Sequence, residues 1–254
     1  MVSLKQTILE VDGISLEFMH GKLKYNVIDD ISFDVKEYEF LSIVGPSGCG
    51  KSSLIRIIAG LLSPTKGRVR FYGKEVIKPE QGMSLVFQNF ALLPWLTALE
   101  NVELALASSG MSSGEIHDKS MKVLEKVNLS GFEATYPSEL SGGMKQRVGM
   151  ARALVSSPKL LLMDEPFSSL DDLTASQLRA EVVSILKNTK TSVKSVIMIS
   201  HNVDEVAHMS DKIIVMSKPP SKIVDKISIE MKYPRSKGNK TIEGIINRIY
   251  SDLY

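Results

Sequence analysis

Gly45-Pro46-Ser47-Gly48-Cys49-Gly50-Lys51-Ser52, directly behind the apolar run 40–44, constrains this chain more than any other segment. The spacing is G-x-x-x-x-G-K-[ST], and a helical pattern over 52–61 follows it. Strand, glycine-rich turn and helix in that order make a phosphate cradle. The glycines let successive backbone N–H groups converge on one anion, and the helix N-terminus adds its positive end. Lys51 is placed to reach the β- and γ-phosphates of a nucleotide, and the Ser52 hydroxyl to ligate Mg²⁺. Gly45, Pro46, Ser47, Gly48, Cys49, Gly50 and Ser53 complete the cradle. Cys49 is either a small residue filling the turn or a thiol biased toward thiolate by the helix N-terminus and so open to modification.

Five apolar runs read as strands, at 32–35, 40–44, 160–163, 196–199 and 213–216, with helical patterns between them. That alternation argues an α/β architecture. The second to fourth runs are nearly all apolar, as strands of a parallel sheet covered on both faces must be. Between 93 and 158 the texture turns almost purely helical. Thr97 and Glu100 form a capping box that starts a helix running to about Gly110, and Ser112 with Glu115 forms another. Ile116, Val123, Leu124 and Val127 then share one helical face. The stretch 218–254 is weaker in pattern, with eight Lys+Arg against four Asp+Glu. It reads as a solvated face or as a contact with anionic lipid.

Composition narrows the partners. Over 254 residues, 31 Lys+Arg stand against 29 Asp+Glu, too balanced to imply nucleic acid. A single Cys excludes an internal disulfide and fits a reducing compartment. No apolar run approaches the roughly 18–20 residues that span a bilayer, and the first thirty residues lack a signal-peptide core. The expectation is a cytoplasmic chain that reaches a membrane only by docking to something that spans it.

Two further segments carry chemistry. Leu160-Leu161-Leu162-Met163-Asp164-Glu165 is an apolar strand ending in paired acids, costly in a core but useful beside Mg²⁺. Asp164 is suited to hold the metal and Glu165 to polarise an attacking water as general base. Leu140-Ser141-Gly142-Gly143-Met144-Lys145-Gln146-Arg147 places Ser-Gly-Gly before a helix at 144–155. That is a second anion-ready helix start, or an ordinary Ser cap with flexible glycines. One nucleotide needs only one cradle, so the second start fits the γ-phosphate of a neighbouring copy.

In chain order, 45–52, then 140–147, then 160–166, these segments resemble the nucleotide-binding subunit of ATP-binding cassette (ABC) transporters, with the likeness running over about 8–216. The resemblance implies a P-loop NTPase (RecA-like) core with a mostly parallel sheet, an N-terminal antiparallel β part and an inserted helical subdomain. Its boundaries would be 1–88 with 159–217 for the core, 89–158 for the helical part and 218–254 for an extension. It implies ATP and Mg²⁺, and a homodimer in which Ser141, Gly142 and Gly143 meet the γ-phosphate held by the other copy. Gln88 resembles the residue that joins core to helical block and contacts Mg²⁺ or the attacking water. Ser169-Leu170-Asp171 resembles the loop that crosses the dimer interface. His201 resembles the switch histidine on the γ-phosphate, whereas His20, His117 and His208 read as surface or packing residues. Phe18 is the first choice and Tyr25 the fallback for the ring that stacks on adenine, though either could be strand packing. Three positions depart from the family pattern: Tyr38 replaces a Gly before Glu39, Asn202 replaces an Asp, and Ser168-Ser169 replaces a more usual small–Ala pair.

Phe87-Gln88-Asn89-Phe90-Ala91-Leu92-Leu93-Pro94-Trp95-Leu96-Thr97 is similar to the nitrate/sulfonate/taurine group of importers, as are Tyr136-Pro137, Pro166-Phe167 and Pro234-Arg235. That group implies polytopic permease subunits, an extracytoplasmic solute-binding protein and a peripheral place on the cytoplasmic face of the membrane. Phe90, Leu93 and Trp95 are either the dock for the permease or core of the helical block. A cassette ATPase acting on DNA or ribosomes, or an exporter ATPase, is the alternative. Long coiled coils, zinc sites and tandem cassettes, usual in the first of these, are absent from the sequence.

Overall fold

The computed structural model describes residues 6–21, 23–168, 170–187, 191–236 and 238–253. The first elements are β1 (Thr7–His20), β2 (Leu23–Lys36), β3 (Phe40–Val44), α1 (Lys51–Ile58), β4 (Lys66–Phe71) and β5 (Lys74–Glu75). Then come β6 (Met83–Val86), α2 (Ala98–Glu103), α3 (Ser113–Lys126), α4 (Gly142–Val155), β7 (Leu160–Asp164) and α5 (Asp172–Lys187). The chain closes with β8 (Ser195–Ile199), α6 (Val203–Met209), β9 (Lys212–Met216), β10 (Ile223–Ser228) and α7 (Lys240–Leu253). They form two compact units, one of Met1–Glu80 with Lys194–Tyr254 and one of Gln81–Val193.

In the first unit β3 pairs in parallel with β8 on one side and β9 on the other, and β10 adds antiparallel to β9. Every residue of β3 and β8 is buried, as the unbroken apolar runs require. An antiparallel sheet of order β2-β1-β4-β5 completes the β structure of this unit. The run expected at 32–35 is only the end of the fourteen-residue β2. Bulges between Val11 and Leu16, and left-handed backbone at Asp30, break the period-two alternation of β1 and β2 and hid their length.

The stretch 218–254 folds back on this unit. β10 extends the sheet, and α7 buries Ile242 and Ile249. The Arg235 side chain, fully buried, donates to the carbonyls of Ala207, Ser210 and Met231 and so fastens the C-terminal end of α6. Its neighbour Asp211 accepts from Phe40 N at 3.0 Å, tying the same cluster to the start of β3.

In the second unit β6 and β7 pair in parallel, and α2, α3 and α4 enclose Ala98, Val102, Leu124, Leu140, Val148, Ala151 and Val155. Both capping boxes are present, Thr97 with Glu100 and Ser112 with Glu115. Leu124 and Val127 are buried, with Ile116 and Val123 packed against them. The helix from Thr97 is shorter than its pattern suggests. It ends at Glu103 and tightens into a 3₁₀ turn at Leu104–Leu106, which turns Leu106 into the core and leaves Leu104 exposed before Ser108, Ser109 and Gly110. Nor is 93–158 almost purely helical: irregular chain with one 3₁₀ turn at Pro137–Glu139 links α3 to α4. The Arg147 guanidinium joins α4 to α5 through Glu181 at 2.8 and 2.9 Å.

Candidate functional site

The first unit carries the phosphate cradle. Buried β3 delivers the chain into Gly45 and Pro46, and Ser47 and Gly48 form the exposed tip. Gly50 caps α1 with φ 95°, a left-handed conformation that L side chains resist, and a Cβ there would stand 2.8 Å from Val27 Cγ1. No side chain caps α1 and no acid lies in its first turn, so its leading N–H groups face the loop rather than a carboxylate. Lys51 is almost completely buried, with Nζ donating to the carbonyls of Gly45 at 2.8 Å and Pro46 at 2.9 Å. The ammonium thus sits inside the loop that would hold a phosphate. Ser52 and Ser53 follow on α1, half-buried.

Of the two readings of Cys49, its burial favours the residue that fills the turn. Its side chain is buried, and that burial pushes the thiol pKa up against the smaller opposing pull of Lys51. The residue fills the turn and is held as thiol, because loss of solvent outweighs the nearby positive end of the helix. Sequence reasoning missed its anchor, Ser221, whose Oγ donates to Cys49 O at 2.6 Å. No motif marks a serine 172 positions away.

His201 leaves β8 and is exposed. Asn202 behind it caps α6, accepting from Glu205 N at 3.2 Å, while Ser200 Oγ donates to the Glu205 carboxylate at 2.8 Å. Asn therefore does the capping work of the usual Asp without its charge. Phe18 and Tyr25 pair directly across β1 and β2, and both are exposed, which excludes strand-core packing for either. Tyr38, at the family's Gly position, takes φ 59° and receives a hydrogen bond on its hydroxyl from Lys194 Nζ at 2.8 Å.

The second unit carries the acids and the second helix start. Asp164, 4% exposed, ends the apolar β7. Glu165 follows in left-handed backbone, with its carbonyl accepting from both N and Oγ of Ser168. Gln88 Nε2 donates to Glu165 Oε2 at 3.2 Å, a direct contact across 77 positions that the sequence reading, which gave Gln88 to Mg²⁺ or the attacking water, did not specify. Ser141 caps α4, its Oγ accepting from Met144 N at 3.3 Å, and it stands exposed beside exposed Gly142. The ordinary capping role is therefore present, and it leaves the hydroxyl proton available to a further acceptor. At Gly143 a Cβ would come within 2.6 Å of Thr174 Cγ2, so a larger residue would have to displace the Thr174 side chain. Asp171 caps α5 by accepting from Thr174 N at 2.9 Å, and the Thr174 hydrogen bonds hold its carboxyl below the ordinary value. Ser169 and the side chain of His20 lie outside the described residues.

The segment behind Gln88 is pinned by two side chains that sequence reasoning did not single out. Asn101, fully buried, accepts from Leu93 N and donates to the carbonyls of Leu93, Leu96 and Thr97. Arg152 donates to the carbonyls of Phe90 and Ala91. Between these anchors Phe90 and Leu93 are half-buried, whereas Trp95 is 69% exposed and takes no part in the core.

Comparison with known proteins shows the family and the fold. Residues 28–168 match the family described as ABC transporter. The chain is 38% identical over 241 residues to the aliphatic sulfonates import ATP-binding protein of Bacillus cereus, covering 95% of this chain and 94% of that one. It is 40% identical over 231 residues to the nitrate transport protein of Klebsiella oxytoca, covering 90% and 87%. A solved dimeric ATP-binding cassette, in a post-hydrolysis state bound to ADP and Pi, superposes with a TM-score of 0.79 at 28% identity, covering 89% of this chain and 100% of that one.

Proposed function

Because the chain belongs to the ABC transporter family and is an ATP-binding, ATP-hydrolysing protein of mixed α/β fold, we propose that it powers an importer of a small oxyanion-type solute such as nitrate, a sulfonate or taurine. Two copies close head to tail over two ATP molecules. The closure works on polytopic permease subunits, which take solute from an extracytoplasmic binding protein. The chain itself rests peripherally on the cytoplasmic face of the membrane; among the described residues no helix is long and apolar enough to cross one. The observation that carries the importer reading is Trp95, held outward on a segment that Asn101 and Arg152 fix from within. Phe90, Leu93 and Trp95 make the dock. The names of the sulfonate and nitrate relatives support the solute class.

In this reading the amides of Gly45–Ser52 and the Lys51 ammonium hold the ATP phosphates, and Phe18, beside Tyr25, stacks on the adenine. The residues we assign to Mg²⁺, Ser52, Gln88 and Asp164, each offer the oxygen donor that ion takes, and the nearly buried Asp164 carboxylate at the end of an apolar strand suits a cationic partner. When bound, that ion would neutralise charge on the phosphoryl oxygens. Glu165 accepts a proton from the attacking water, and Gln88, bonded to it, orients both. His201 donates to the γ-phosphate, Ser141 and Gly143 do so from the second copy, and Asp171 lines the contact between copies. Phosphoryl transfer depends mainly on positioning and charge, so closure is itself part of catalysis.

Glu165→Gln tests the whole reading. It should bind ATP normally, hydrolyse it about 10²–10⁴ times more slowly and accumulate as a closed dimer. Extracted from its own membranes in mild detergent with ATP, it should carry a polytopic permease, and that complex should respond to candidate oxyanions. A soluble partner or nucleic acid in place of the permease would keep the ATPase and refute the importer.

A further inference from the structure

The hydrogen bonds of Arg152 join two parts of the second unit that the reaction needs to act together. The residue lies on α4, eleven positions beyond Ser141, and its guanidinium reaches back to the segment that begins at Gln88. Nη1 donates to Ala91 O at 2.7 Å and Nη2 to Phe90 O at 2.5 Å, a fork across two successive carbonyls. Phe90 and Ala91 have φ of 59° and 45°, left-handed values that non-glycine residues hold only when the surrounding structure fixes them. About one turn earlier on α4, a Cβ at Gly149 would stand 3.6 Å from Phe90, in van der Waals contact. Gln88, two residues before the fork, donates to Glu165, and Trp95, four residues after it, points outward. Burial lowers the pKa of the guanidinium without threatening its charge, and the two carbonyls supply acceptors for the partly desolvated group.

We propose that Arg152 is a positioning residue for ATP hydrolysis: by forking onto Phe90 and Ala91 it makes the Gln88–Trp95 segment and the α4 helix move as one body. A displacement at Trp95 is then felt both at Gln88, which orients Glu165, and at the helix start that carries Ser141. Without the fork, Phe90 and Ala91 relax toward ordinary backbone, and Gln88 no longer stands where Glu165 needs it. The inference rests on the reading of Gln88 and Glu165 given above.

Trp95 is the single tryptophan, so its fluorescence reports on this segment alone. The full-length chain would be compared with Arg152→Met, which keeps an apolar stem and removes the donors, and with Arg152→Lys, which keeps the charge but not the fork. Arg152→Met should lose about tenfold in kcat with ATP affinity within about twofold. Acrylamide should quench its Trp95 more readily, and Trp95 anisotropy should fall. Arg152→Lys should lie between it and the parent in both readouts. Parental kcat and parental Trp95 quenching in Arg152→Met would overturn the proposal, as would parallel losses of kcat, ATP affinity and thermal midpoint with Trp95 unchanged. If Arg152→Met does not fold, Arg152→Lys decides, and parental values for both readouts there overturn the fork. Glu165→Gln, assayed alongside, separates the two layers. Hydrolysis at the parental rate in that variant defeats the underlying reading and the proposal with it. A slow Glu165→Gln beside a fully active Arg152→Met removes the proposal alone.

Discussion

The two helix starts that this chain offers to anions are built in opposite ways. At α1 the cap is a left-handed glycine, no side chain satisfies the first turn, and Lys51 is folded inward onto the loop carbonyls. At α4 Ser141 satisfies its own helix and stands exposed, with Gly143 pressed against Thr174. The first is a cradle whose donors converge on one point. The second is a self-sufficient cap with one hydroxyl proton to lend. A cradle can hold an anion unaided, whereas a single hydroxyl at a helix start contributes only where another site already fixes that anion. This difference is the physical argument for a shared site between copies.

The largest effect belongs to the cradle. Lys51→Ala removes a nearly buried ammonium from the centre of the loop, and ATP affinity in an equilibrium binding assay should fall at least about 100-fold. Hydrolysis should become undetectable. Affinity retained within about threefold would mean that the backbone amides suffice and that the inward lysine is incidental.

Ser141→Arg tests the lent donor. ATP binding should stay within about threefold of the parent, while hydrolysis drops about 10²–10³, the usual consequence of losing one donor to a developing charge. Mixed with the Lys51→Ala chain, it should regain activity, because one composite site in the mixed dimer keeps both Lys51 and Ser141. A silent mixture, with both chains folded and dimeric, would dissolve the contrast between cradle and cap.

The same contrast governs how much could be read without coordinates. The cradle announces itself because its chemistry is local: a buried strand, fixed glycine spacing and one lysine within eight residues. The all-apolar runs that become β3, β7 and β8 are legible for a similar reason, since burial on both faces leaves no polar positions to confuse the pattern. β1 and β2 are not, because bulges interrupt their alternation, and in α7 a glycine, Gly244, between the buried Ile242 and Ile249 weakens the helical signal. Within the site, motif order marked Gln88 and Glu165 as separate candidates but not the hydrogen bond between them. Ser221, Asn101 and Arg152 were not marked at all, since each acts on backbone carbonyls, and a carbonyl leaves no mark in the residue alphabet.

Cys49 sharpens the picture of a closed cradle by a smaller effect. Burial raises the thiol pKa, so its thiolate should form at higher pH than that of an exposed cysteine. Alkylation followed against pH should show its rate rising later than for a free thiol. Lys51 opposes the shift, so in the Lys51→Ala chain the rise should come later still. Fast labelling at neutral pH in the folded chain would show instead that the helix N-terminus prevails over burial and that the loop is open.

The smallest effect lies outside both helix starts, at the turn that feeds β3. Tyr38 holds φ 59°, where an L residue costs roughly 1–2 kcal/mol and glycine almost nothing. Against that strain stand the hydrogen bond from Lys194 and its placement 4.9 Å above the ring. The pair is exposed, so solvent screens most of its attraction. Glycine also carries more unfolded-chain entropy, which takes back part of the relief. Tyr38→Gly should therefore be more stable than the parent by about 0.5–1 kcal/mol in urea unfolding, with ATP hydrolysis unchanged. Lys194→Met, which removes the partner and leaves the backbone as it is, should leave the urea midpoint close to the parent's. A destabilised Tyr38→Gly would mean that the ring and its lysine outweigh the strain. The departure from glycine would then be a built contact that fixes the approach to β3 and, through it, the seat of the phosphate loop.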